Sequence, residues 1–199
     1  MSEGTKLAGS ESAQAAGPRF YVVSIKKLVW MSLLSTGVYF LYWFYRNWAT
    51  YRDATGDRVI PLLRSIIPVL FIYPLLSRID QALKNSGSQH EWSPKLLAVG
   101  MWLLVIIGVG SALLTPEPSG ELKHDVGLTL RYLIETIVQL LAAVWLLCKI
   151  QRAINIAECD PEGESNSSYT GANIGWMTFG TVIWVINFIG IMMLLSLAN

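Results

Sequence analysis

Five stretches of the chain are apolar over lengths close to the roughly 20 residues a helix needs to cross a bilayer. They run over residues 28–45, 59–77, 96–114, 128–150 and 172–198, separated by short polar connections. None alternates apolar and polar positions as a strand would. In lipid, backbone polar groups have to be satisfied within the segment, which makes helices the default. The expected fold is all-α: an integral membrane bundle of four to five hydrophobic helices over residues 19–199. Residues 1–18 are small and polar and read as a disordered tail.

The segments differ in kind. Residues 172–198 follow the last charge of the chain, Glu164, and 96–114 carry no charge at all. In the latter, Gly108 and Ala112 form a small-xxx-small pair that permits close helix contact. Residues 59–77 contain Pro61, Arg64, Pro68 and Pro74. Prolines remove amide donors, so that segment is expected to bend. The first segment follows the basic pair Lys26 and Lys27 and is interrupted at Ser35-Thr36-Gly37; eight aromatics then fall within residues 39–51.

That interruption admits two topologies. Five spans with a cytoplasmic N-terminus is the first expectation. It puts nine basic residues inside and four outside, the sign the positive-inside rule requires. Three of the four outside, Arg46, Arg52 and Arg58, share one connection. In the alternative, the first segment dips in and returns at Gly37, residues 38–54 lie along the inner surface, and 59–77 also begin and end inside. Both leave the C-terminus external. Both put an aromatic-basic motif at the interface, comprising Lys26, Lys27, Gly37, Tyr39, Tyr42, Trp43, Tyr45, Arg46 and Trp48.

Composition agrees with a lipid-facing surface. Hydrophobic residues make up 53% of the 199 and charged residues 15%, against about 25% charged in soluble domains. A net charge of +1 gives no pull toward nucleic acid. The expected partners are the lipid bilayer and either a second copy or another membrane protein. Cys148 and Cys159 form no CxxC, and His90 and His124 lie in different connections, so no metal site and no cofactor are expected. Glu158, Asp160, Glu162 and Gly163 space like the start of a calcium loop, but the closing position holds Tyr169, so a solvated acidic loop is the plainer reading. Motifs for phosphate loops, nucleophile elbows and zinc proteases do not occur, and nothing argues for an enzyme.

The run FYVVSIKKLVWMSLLSTGVYFLYWFYRNW, the Pro-rich span ending LLSRID and the later QRAINIAECDPEGESNSSYTGANIGW together resemble an uncharacterised family of bacterial membrane proteins, domain of unknown function 4234. The resemblance covers roughly residues 19–190. It implies a small helical protein of the bacterial inner (cytoplasmic) membrane and carries no activity or functional residues with it.

The sharpest polar constellation is Arg131, Glu135 and Gln139, spaced four apart on one stripe of a helix. An ionisable group within a span is a functional-site hypothesis by default. An Arg131–Glu135 ion pair is the structural reading, with Arg64 and Asn187 as candidate partners across the bundle. Two functions follow. In the first, the protein acts through protein or lipid contacts in the membrane. In the second, it is a small oligomeric transporter or channel that uses this stripe.

Overall fold

The computed structural model describes residues 17–88, 90–116 and 120–198, with the side chains of 122–124 left aside. The proposed tail at 1–18 therefore lies almost wholly outside the described residues. The described chain is helical without strands. Seven α-helices follow in order: α1 Ile25–Leu34, α2 Tyr39–Thr55, α3 Pro61–Ile66, α4 Pro68–Asn85, α5 Pro94–Leu114, α6 Leu122–Ala157 and α7 Gly171–Ala198.

Three of them, α5, α6 and α7, are long and apolar enough to cross a membrane. Their surfaces carry exposed Leu103, Ile106, Leu113, Ile134, Ile186 and Phe188 among others. Apolar area on that scale requires a non-aqueous environment, and the chain is a helical membrane protein.

The first two apolar segments are not continuous helices, which corrects the five-span expectation. Segment 28–45 breaks where Thr36 (φ 54°) and Gly37 (φ 86°) both adopt left-handed conformations. Ser24 caps α1, its Oγ accepting from the Lys27 amide at 3.3 Å, and Ser35 Oγ accepts from the Tyr39 amide at 3.0 Å to start α2. Segment 59–77 breaks at Ile67. Pro68 cannot supply the amide that would continue α3 and instead starts α4.

Both breaks lie beside the middle of the long helices. An added Cβ at Gly37 would touch Leu140 of α6 at 3.6 Å. The Leu33 carbonyl, at the end of α1, accepts from Trp184 Nε1 of α7 at 3.0 Å. Gly180 of α7 packs directly on the Leu34–Ser35 backbone. At the second break, Trp102 Nε1 of α5 donates to the Val69 carbonyl at 2.8 Å. A small apolar cavity of about 80 Å³ lies between the two breaks, lined by Phe40, Trp43, Pro68, Val69 and Trp102 among others. At 1.5 Å per residue, the ten residues of α1 measure about 15 Å, half of a hydrocarbon layer of about 30 Å. Residues 25–55 thus form a half-depth hairpin, and α3–α4 form a second, shorter one. Irregular backbone at such depth is tolerated where protein buries it, and the two tryptophan indoles supply that cover.

The core gathers at one end. It joins the C-terminal half of α6 (Leu147, Ile150, Ile154) to Leu28, Trp43, Trp48, Leu75 and Ile79. The described basic residues stand at this end or approach it, except Lys123 and Arg131 on the first half of α6. Arg46, Arg52 and Arg58, anomalous in the five-span layout, fall here as well. We call this the basic end and the opposite one the far end.

Candidate functional site

Residues 19–24, ahead of α1, form a strap buried against the basic end; Phe20, Tyr21, Val22 and Val23 are all buried. A strap outside a sheet leaves its peptide groups without ladder partners, and buried peptide groups are costly unless paired. Here side chains pair them. Glu158 accepts from the amides of Arg19 (3.0 Å) and Phe20 (3.1 Å). Asn47 Oδ1 accepts from the Tyr21 amide at 3.2 Å. Gln151 Nε2 donates to the Tyr21 carbonyl at 3.0 Å, and Asn155 Nδ2 to that of Val23 at 3.0 Å. Asn166 Nδ2 donates to the Val22 carbonyl at 2.9 Å.

Gln151 and Asn155 are fully buried, one turn apart on α6, and bonded to each other at 2.7 Å. Gln151 Oε1 also accepts from Trp43 Nε1 at 2.6 Å. Strap, hairpin and α6 therefore share one satisfied amide network, the kind that fixes a unique packing. Gly163 seals it. Its φ is +68°, and a Cβ there would come within 2.5 Å of the Val23 carbonyl carbon. The segment after α6 is a clasp over the strap: Glu158 turns in to the strap amides, while Glu162 and Glu164 stay exposed as in a solvated acidic loop. Burial raises the Glu158 pKa, while the strap amides and Arg19 oppose that shift. Asp160 moves the other way, held down chiefly by hydrogen bonds from Ser165, with the Glu164 and Gly163 amides adding to it.

The aromatic-basic motif divides. Tyr42, Tyr45 and Arg46 are exposed, whereas Tyr39, Trp43 and Trp48 are buried in the core. Arg64 and Arg78 both lie over the Trp48 ring, at 4.0 and 5.3 Å from its centroid. Cation–π contact of this kind contributes about 0.5–2 kcal/mol. Lys26 is exposed, but Lys27 is 3% exposed, its ammonium donating to Asn166 Oδ1 at 2.6 Å and to the Ser168 carbonyl at 2.7 Å.

The intramembrane stripe is assembled differently from the sequence expectation. Glu135 does not pair with Arg131. It accepts from Ser111 Oγ of α5 at 2.5 Å and from Gln139 Nε2 at 3.0 Å. Arg131 is exposed. Arg64 is committed to Trp48 and Phe71 at the basic end. Asn187 Nδ2 bonds back to the Ile183 carbonyl of its own helix at 2.9 Å. Depth explains the outcome. Ser111 lies three residues from the end of α5, about 5 Å at helical rise. Glu135 therefore sits toward the far end, and Arg131, one turn beyond, reaches past the end of α5. Gly108 leaves room for Gln139, whose Oε1 an added Cβ would meet at 2.9 Å.

Two cavities open at the basic end beside α7. One, of about 390 Å³, is a cleft whose lining includes Tyr21, Lys27, Tyr42, Arg46, Asn166 and Asn173. The other, about 240 Å³, is a mainly apolar groove along Met31, Val38, Leu41, Tyr42 and Trp176. Tyr42, Thr170 and Asn173 line both. The α7 N-terminus stands at this junction, with Thr170 Oγ1 accepting from the Asn173 amide (3.3 Å) and Asn173 Oδ1 from the Thr170 amide (3.1 Å).

Sequence reasoning singled out Lys27, Arg46 and Tyr42 but missed Gln151, Asn155 and Asn166, which hold the strap. The available signal was their spacing: Gln151 and Asn155 fall on the same face of α6 as buried Leu147 and Ile154. Compared with protein-family models, curated proteins and solved structures, the chain finds no match.

Proposed function

We propose that the protein acts by contact within a bacterial cytoplasmic membrane, its basic end engaging the inner leaflet, with the N-terminus cytoplasmic and the C-terminus external. The observation that carries this reading is the pair of half-depth hairpins. They gather the basic residues at one end of three apolar helices, where anionic headgroups contribute about 1 kcal/mol per Lys or Arg. The resemblance to an uncharacterised bacterial membrane family supports the same setting.

The alternative, a transporter built on Glu135, has less behind it. That carboxylate is occupied by Ser111 and Gln139, and its position lies toward the far end. The test is crosslinking in cells followed by gentle purification, with flux measured in reconstituted liposomes. Contact predicts an enriched lipid shell or a stoichiometric protein partner, and no flux above empty vesicles. Flux that Glu135→Gln alters would overturn it.

A further inference from the structure

We propose that the cleft and groove beside the α7 N-terminus form one binding site for an anionic phospholipid, the phosphate between Lys27 and Arg46 and an acyl chain along Leu41 and Trp176. The proposal rests on the contact reading above and names its ligand.

Four observations support it. Among the described residues, the cleft lining holds two cations, Lys27 and Arg46, and no acidic side chain. Lys27 is buried, and the acceptors it reaches, Asn166 Oδ1 and the Ser168 carbonyl, are neutral. An ammonium has three donors, so one proton remains for a ligand. A buried cation without a counter-charge is costly, and a phosphate would supply that charge. Arg46 is held over the Tyr21 ring, 5.3 Å from its centroid, at the rim of the same cleft. The N-terminus of the 28-residue α7 adds its positive dipole end.

The groove accounts for the rest of the molecule. It shares three residues with the cleft and runs toward the α1–α2 break, where Val38 is 44%, Leu41 50% and Trp176 53% exposed. A cationic cleft that continues into an apolar groove on a lipid-facing surface matches an amphipathic anion rather than a soluble one. The cleft alone falls within the range of about 300–1,000 Å³ typical of ligand sites.

The experiment is native mass spectrometry of the full chain, with phosphatidylglycerol and phosphatidylcholine of identical chains as competing lipids. Glycerol 3-phosphate and inorganic phosphate serve as headgroup-only probes. The wild type is expected to retain phosphatidylglycerol preferentially. Arg46→Gln should weaken that retention by about fivefold, the worth of one basic residue at an anionic surface, and Arg46→Glu should abolish the preference. Arg46 is exposed, so both variants are expected to fold, as unchanged thermal unfolding would verify; Lys27→Gln provides the buried counterpart. Trp176→Ala should weaken the lipid and leave glycerol 3-phosphate unaffected.

A preference for phosphatidylglycerol that neither Arg46 variant changes would overturn the site while leaving the contact reading intact. Glycerol 3-phosphate bound as tightly as the lipid would assign the cleft to a soluble phosphate and overturn the proposal. Equal retention of the two lipids by the wild type would overturn the site, and with no protein partner found in cells it would remove the contact reading as well.

Discussion

Gly180→Ala tests the contact between the first hairpin and α7. The added methyl would sit 2.7 Å from Ser35 Cα and closer still to the Leu34 carbonyl oxygen, both backbone atoms that no rotamer change can move aside. Carbon–carbon contacts settle near 3.5–4.0 Å, so the hairpin tip has to retreat by about 0.8 Å or more. The Trp184–Leu33 hydrogen bond starts at 3.0 Å and would stretch beyond bonding distance. Overpacking costs about 1–3 kcal/mol, and the lost hydrogen bond about 1 kcal/mol. The expected destabilisation is therefore about 2–4 kcal/mol, roughly 30- to 900-fold in the folding constant. Reversible unfolding in mixed micelles would read it. Gly175 and Gly190, on the same helix, have open space where a methyl would be added, so Gly175→Ala and Gly190→Ala should be neutral or stabilising by up to about 1 kcal/mol. In a double-mutant cycle, Trp184→Phe should add little once Gly180 is replaced. Gly180→Ala as stable as the two controls would refute a hairpin tip seated on α7.

Further outcomes follow from the strap. Gly163→Ala combines a left-handed φ with a clash against the Val23–Ser24 backbone, and should free residues 19–24 to proteolysis at more than 1 kcal/mol of lost stability. Gln151→Leu strands the Tyr21 carbonyl and the Trp43 indole and should cost about 2–4 kcal/mol in an unfolding titration; Gln139→Leu, away from that network, should cost less. The folded-state pKa of Glu158 is raised. Its contribution is therefore fully present below the ordinary value of 4.5 and is lost as pH rises through the raised value. Glu158→Gln should flatten stability across that window, and a slope unchanged from wild type would contradict the assignment. Asp160 has the opposite sign, its contribution present above 3.8 and lost as pH falls below it.

The local breaks were legible in the sequence; the partners across the bundle were not. Ser35-Thr36-Gly37 announced the first turn-back, and the misplaced Arg46, Arg52 and Arg58 argued for it. Hydropathy still read 59–77 as a span, because apolar length is counted across Pro68 although the missing amide ends α3 there. The connection assigned to 151–171 contains the last turns of α6, since charge at Arg152 marks the end of the apolar layer and not of the helix. Trp43 and Trp48 stood out by residue type, but nothing local showed that they pack into the core with Arg64 and Arg78 over Trp48. Glu135 found Ser111 on a neighbouring helix, 24 residues back, in preference to Arg131 one turn away. Spacing along one helix carries no information about such a choice.

In the half-depth hairpin, residues 25–55 enter and leave on the same side. Three single-cysteine proteins test this by labelling with an impermeant thiol reagent in intact cells and in inverted vesicles. The first keeps Cys159, with Cys148→Ala; the others carry Thr55→Cys or Glu121→Cys in a background free of both native cysteines. The half-depth hairpin predicts that Thr55→Cys labels together with Cys159 and opposite to Glu121→Cys. Labelling of Thr55→Cys on the side of Glu121→Cys would mean that the first segment crosses the membrane, and would contradict the account.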